Sequence, residues 1–233
     1  MSSRTPRRAF ALPVARPNDA SRRPGARAAR RPRRRQHAAG LAIGLMAACG
    51  GDPLAPNSSA NVDTQETVFR VYPLSAATGP LPTAVNVVGL AVVQPALTTV
   101  ALGQAGVIAP NFDFAVDRGA DGRVRLLPAK LVAGLGGAGL TLETGFRVVA
   151  GDFAAIAAAP DGTYQADSVT TVNVGQVVVV EAQALACYGR ARPNVYAKLV
   201  VDSVSAPSGL VFLRARVNPN CGFRSLQPGK PTS

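Results

Sequence analysis

The sequence predicts an all-β fold, an antiparallel β-sandwich of about eight to ten short strands, with an open β-barrel as the alternative architecture. Three observations point there. Val, Ala, Thr and Phe dominate from Thr67 onward. Turn-forming residues recur at short spacing along the same stretch, as they do between the strands of sandwiches and barrels. Several segments also alternate strictly: Val211, Leu213, Ala215 and Val217 would face one way, and Phe212, Arg214, Arg216 and Asn218 the other. A period of two with one apolar face is the pattern of a half-buried antiparallel strand.

The elements follow in order. Residues 67–74 (TVFRVYPL) form a first strand. Residues 84–93 (AVNVVGLAVV) are apolar on both faces, which suits a central strand covered twice. Weaker strands fall at 97–102 and 107–109. A hairpin spans 111–131: Phe112, Phe114 and Val116 alternate with Asp113 and Asp117, and Asp121-Gly122 offers a positive φ at its turn. A second Asp-Gly turn sits at Asp161-Gly162. Between the two turns, Asp152 would cap a short helix over 153–159 (FAAIAAA), the one helix expected. Strands resume at 169–174 and 177–186, where four successive valines from Val177 to Val180 are stiff at χ1 and favour extended backbone. A final hairpin pairs 195–205 with 210–218 through Ala206-Pro207-Ser208-Gly209.

Charge divides the 233 residues unevenly. Residues 1–48 carry twelve Arg against the single acid Asp19, whereas residues 49–233 are close to neutral. The basic excess therefore belongs to an N-terminal arm and not to a basic domain. Pro and Ala fill the gaps between its arginines, so the arm has no core to bury. Phe10 is its only aromatic residue, which leaves no stacking platform, and no nucleic-acid partner is expected. The arm runs into an uncharged stretch at 38–48 (AAGLAIGLMAA), far short of the about 20 residues a membrane-spanning helix needs. A positive segment, a short apolar core and small residues at its end make a secretory signal. Arg outnumbers Lys by 22 to 3, as GC-rich coding produces, and Leu12 or Val14 would serve as a later translation start.

The end of the signal is more specific. Leu45-Met46-Ala47-Ala48 precedes Cys49, and Gly50 follows it. This resembles the lipobox of bacterial lipoproteins, although Met46 stands where Leu, Val or Ile is usual. The resemblance covers only residues 30–50. It implies that Cys49 receives a diacylglyceryl group, becomes the mature N-terminus by cleavage after Ala48, and is then acylated on its amine. It also implies a membrane as partner through that lipid. Gly50 lacks the Asp that retains such proteins in the inner membrane, so the outer membrane is favoured over the inner one. A secreted or periplasmic chain cut by ordinary signal cleavage is the alternative.

On this reading residues 1–48 are the basic arm and signal peptide, 49–66 the lipidated cysteine and a tether, and 67–233 the β-sandwich. The tether (GGDPLAPNSSANVDTQE after Cys49) is rich in Gly, Pro, Ser and Asn. About 17 flexible residues span roughly 20–25 Å, enough to hold a domain clear of a membrane surface.

Cysteine arithmetic agrees. With Cys49 given to lipid, Cys187 and Cys221 remain to pair. A meander of the last three strands puts both at the same end of one sheet. Its outer strands would lie about 9–10 Å apart. A disulfide needs Cα atoms within about 7 Å, so the loops carrying the two cysteines must curl together.

Composition narrows the chemistry. The single histidine, His37, lies in the arm, so the mature chain has no Ser-His or Cys-His couple and no ordinary zinc site. Gly134, Gly136 and Gly139 match a GxGxxG spacing, but residues 140–149 alternate as a strand where the motif requires a helix. Asp113, Asp117 and Asp121 are spaced by four around a turn and read as turn formers rather than calcium ligands. No cofactor and no metal is expected. A secreted hydrolase using a carboxylate pair is the enzymatic alternative, with Glu143 and Glu181 as candidates. Otherwise the domain is a non-catalytic structural or binding module, with an envelope protein or a glycan as candidate partner. Tyr188 and Phe223 flank the paired cysteines and are the candidate ligand-binding aromatics.

Overall fold

A computed structural model describes residues 62–102, 105–132, 142–187, 190 and 192–231. It is all-β. Among the described residues there are twelve strands: β1 (Gln65–Val71), β2 (Ala84–Asn86), β3 (Ala91–Val93), β4 (Leu97–Leu102), β5 (Ala105–Pro110), β6 (Phe114–Arg118), β7 (Val124–Pro128), β8 (Thr144–Val149), β9 (Thr170–Val172), β10 (Val177–Gln183), β11 (Asn194–Val204) and β12 (Val211–Asn218). One sheet has the order β1-β12-β11-β10-β8 and a second the order β3-β2-β6-β7-β9; β4 and β5 form a separate hairpin. All of these pairings are antiparallel, and neither five-stranded sheet closes on itself. The two sheets pack face to face as a sandwich, so the barrel alternative is not the one adopted.

The core lies between the sheets. Phe69, Phe146, Val178, Val180, Leu199 and Leu213 from the first sheet meet Val85, Phe114, Val116, Val124 and Leu126 from the second. Phe114 and Phe146 cross the gap edge to face, with ring centroids 5.4 Å apart and planes at 85°. That geometry sets the positive rim of one ring against the negative face of the other. The alternation in β12 is realised: Val211, Leu213, Ala215 and Val217 are buried in this core, and Phe212, Arg214 and Arg216 are half-buried on the opposite face. Asn218 ends the strand fully buried, its amide donating to the carbonyls of Phe223 and Ser225.

Three expectations change. The first is the helix over 153–159, which does not form. Residues 152–165 instead cross the outer face of the first sheet as an irregular strap. Its backbone is held from outside: the Ala159 amide donates to the Arg224 carbonyl, and the Leu226 amide to the Ala157 carbonyl. Tertiary hydrogen bonds override the helical propensity of an Ala-rich run, and Pro160 gives that run an end.

The second is the continuous strand over 84–93. It breaks into β2 and β3 around a turn at 87–90, where Leu90 adopts φ 50°. The doubly covered strand is β10. Val178 and Val180 face the core, Val177 and Val179 face the strap, and all four are buried.

The third is the tether boundary. Gln65 and Glu66 already belong to β1, the Thr64 amide donates to the Gly229 carbonyl, and the Val62 amide donates to Asn220 Oδ1. The domain therefore starts by Val62.

Candidate functional site

The three C-terminal strands place the cysteines as their order requires. β11 lies between β10 and β12, and Cys187 and Cys221 close a disulfide with Cα atoms 5.6 Å apart. That is well inside the strand-to-strand span. A single 3₁₀ turn at Leu185–Cys187 and the turn after Asn218 curl the two ends together, and the Gly222 amide ties the second turn to the Asn194 carbonyl. Cys187 is fully buried at this end of the core. Phe223, a candidate ligand-binding residue, is only 6% exposed, so the structure uses it as packing beside the bridge. Tyr188 lies outside the described residues. So does Cys49, and so do Gly134, Gly136 and Gly139.

The candidate carboxylates have separate tasks. Glu143 is exposed and lies 3.9 Å from the ammonium of Lys130. Glu181 stands directly across from Tyr196 in the β10–β11 ladder, and one of its oxygens accepts both the Tyr196 hydroxyl at 2.9 Å and the Asn194 amide at 2.6 Å. Burial, reinforced by that bond to Glu181, pushes the Tyr196 phenol up to about 12. The hydroxyl therefore stays protonated and donating. Glu143 and Glu181 are held by different partners.

The three aspartates of the first hairpin also part company. Asp117 Oδ1 accepts the Ser75 amide, and Asp121 Oδ1 accepts the Arg123 amide inside its turn. Asp113, expected on the solvated face, is 8% exposed. Its Oδ2 accepts the Val87 amide at 2.5 Å, which fixes the turn that splits β2 from β3. Burial raises the Asp113 carboxyl from 3.8 to about 6, against the opposing pull of its backbone hydrogen bonds with Val87 and Val88. It lines a recess of about 270 Å³ together with Asn86, Phe112, Gln183 and Leu185. Asp113 is the only carboxylate in that lining.

The densest charged cluster lies on the outer face of the first sheet. Lys198 on β11 stands opposite Arg216 on β12, and Arg216 stands opposite Glu66 on β1. Arg214 is two residues along, on the same face. Like charges directly opposed across a ladder are unfavourable, so each cation here requires a partner. Arg216 pairs with Glu66, and Arg214 pairs with Asp202 at 3.1 Å. Lys198 is 3% exposed; its ammonium donates to the Ile156 carbonyl at 2.7 Å and lies 4.8 Å from the centre of the Phe153 ring. The Arg214 guanidinium is also 4.8 Å from that ring centre. Burial, followed by the nearby Arg216 charge, lowers the Lys198 pKa. The cleft beside the cluster measures about 320 Å³ and is edged by Gln227 and Pro228.

The cluster works as a clamp on the strap, which three basic residues hold at successive points. Lys198 takes Ile156. Arg224 donates to the Ala159 and Pro160 carbonyls, pairs with Asp161 and lies 5.3 Å from the Tyr196 ring centre. Arg147 donates to the Asp161 carbonyl. Strand parity alone would have grouped Lys198, Arg214 and Arg216 on one face. What covers that face was not legible, because the strap read as a helix. Among the described residues no group of three His, Cys, Asp or Glu side chains is assembled to hold a metal ion.

The arrangement offers fixed hydrogen bonds, buried cation–π contacts and a disulfide-stapled end. Set against models of protein families, curated proteins and solved structures, the chain matches none of them.

Proposed function

We propose that this protein is a lipid-anchored component of a bacterial cell envelope, whose β-sandwich acts as a non-catalytic structural or binding module held at the membrane by lipid on Cys49. The Cys187–Cys221 disulfide carries the reading. Such a bridge persists in oxidising compartments, which supports export. It also leaves Cys49 as the one cysteine outside the pair, at the lipobox position and at the head of the tether. A diacylglyceryl group with a further N-linked chain supplies more than the single chain that gives only marginal membrane binding. Gly50 after the cysteine favours the outer membrane where a cell has two.

Labelling the full chain in a bacterial host with a clickable palmitate analogue tests the anchor. Label is expected on the wild-type chain and absent from Cys49→Ser, with precursor accumulating when the lipoprotein peptidase is inhibited. An unlabelled wild-type chain recovered free of membranes would overturn it.

A further inference from the structure

We propose that the end of the sandwich opposite the disulfide binds a single oxyanion, a phosphate or carboxylate borne by a ligand of roughly monosaccharide size, with Arg118 as the residue that recognises it. This deepens the binding-module reading and rests on it, but it does not rest on the anchor.

Arg118 ends β6. Phe114 and Val116 on the same strand point into the core, and Arg118 continues that inward face by one more step. Its ladder partner, Val124, is a core residue as well. An arginine thus occupies the last inward position of the sandwich, where the apolar pattern would place another hydrophobic side chain.

Nothing inside the described protein pairs with it. The Arg118 side chain has no hydrogen bond and no ion pair among the described residues, and its Nε is sealed from solvent with no acceptor. The neighbouring acid, Asp117, is engaged by the Ser75 amide. Desolvating part of a guanidinium without a partner is costly, and such a group in a native fold calls for an explanation. The terminal nitrogens are left to do its hydrogen bonding. They lie between two turns: a Cβ at Gly122 would sit 3.7 Å from Nη2, and one at Gly209 would sit 3.8 Å from Nη1. Both glycines have positive φ, 77° and 68°, so both turns exclude side chains from the arginine's flanks.

Three loops surround the guanidinium: 73–76, 118–122 and 206–209. They enclose an open pocket of about 490 Å³, within the range of small-ligand sites. Arg118 is the only charged residue in its lining. Pro73, Ala76, Ala206 and Pro207 give apolar walls, and Ser75 and Ser208 add hydroxyls. Ser208 Oγ accepts the Leu210 amide at 3.3 Å, which leaves its proton free to donate. A forked cation with two hydroxyls nearby on an apolar floor fits the planar or tetrahedral oxygens of a carboxylate or phosphate.

The test titrates the full chain, in mild detergent, with inorganic phosphate and separately with sodium glucuronate, followed by calorimetry. Binding of at least one probe is expected at millimolar concentration, and which one binds distinguishes the two sources of oxyanion. Arg118→Gln should weaken it at least about tenfold, the loss expected for one charge-assisted hydrogen bond. Arg70→Gln, an exposed arginine elsewhere on the first sheet, should leave it unchanged. Ala206→Glu puts a carboxylate on the exposed pocket rim; it should raise the melting temperature and abolish probe binding even if Arg118→Gln folds poorly. Wild type binding neither probe, or Arg118→Gln and Ala206→Glu both binding as wild type does, overturns the proposal. An envelope partner cross-linked elsewhere on the domain would in that case leave the binding-module reading standing.

Discussion

The Asp113 carboxylate accepts the Val87 amide at 2.5 Å from a position in the hairpin 26 residues away, and so a buried acid fixes a turn that its own segment does not contain. The burial of that acid, which outweighs the opposing pull of the Val87 bond, makes stability depend on pH. Burial puts the carboxyl pKa at about 6, against 3.8 ordinarily. Between those values the folded chain holds the proton and the unfolded chain has lost it. The contribution is therefore fully present below 3.8, falls as pH rises, and is gone once pH passes 6. A shift of this size corresponds to about 3 kcal/mol. Asp113→Asn keeps an acceptor oxygen for Val87 and cannot ionise. Urea unfolding at about pH 4 and about pH 7 should show the variant gaining about 2.5 kcal/mol relative to wild type across that interval. An unchanged difference would mean that Asp113 does not titrate as a buried acid.

The disulfide closes a sequence separation of 34 residues around β11. Loop-closure entropy gives such a bridge roughly 3–4 kcal/mol of stabilisation. The double variant Cys187→Ala with Cys221→Ala should lose about that much, with the denaturant midpoint falling. Reducing the wild-type protein should reproduce the loss. A drop below about 1 kcal/mol would show that the ladder contacts of β10, β11 and β12 already restrict the unfolded chain as far as the bridge does.

Phe114 and Phe146 connect the two sheets, since each belongs to a different one. Phe146→Ala should cost about 3–5 kcal/mol through the cavity it leaves. The edge-to-face term is separable. In a double-mutant cycle with Phe114→Leu and Phe146→Leu, a coupling of about 0.5–1.5 kcal/mol is expected. Zero coupling would reduce the pair to ordinary apolar contact.

The parts legible in the sequence were those that local pattern determines. Alternation from Val211 to Val217 fixed which face of β12 is inward, and the meander of the last three strands brought Cys187 toward Cys221. The parts that were not legible depend on partners far along the chain. The run 153–159 has helical composition, yet the Ala159 amide and the Ala157 carbonyl are taken by Arg224 and Leu226 and the Ile156 carbonyl by Lys198. The break in 84–93 is set by Asn86 and by the distant Asp113, and Asn86 and Gly89 were its local signs. Arg118 was available to inspection, because the parity of Phe114 and Val116 places it inward. Its lack of a partner became visible only when the loops at 73–76 and 206–209 closed around it.

The strap over β10 and β11 should open before the sandwich does. It is held by Arg224 on the Ala159 and Pro160 carbonyls, Lys198 on Ile156, paired backbone bonds between Gln165 and Phe146, and the packing of Phe153 and Tyr164 on the outer face of the sheet. The inner face of the same strands is buried by a complete second sheet. Local opening follows the weaker attachment. Arg224→Ala removes two carbonyl contacts, the Asp161 pair and a cation–π contact at once, and should free the strap by about 1–3 kcal/mol. In hydrogen exchange the amides of Ala159 and Leu226 should then speed up, while those of Val178 and Val180 keep their protection. Limited proteolysis should cut the variant first between residues 152 and 165. Equal acceleration at Val178 would mean that strap and sheet open as one cooperative unit. In that case the outer layer would be part of the folding core and not a cover laid over it.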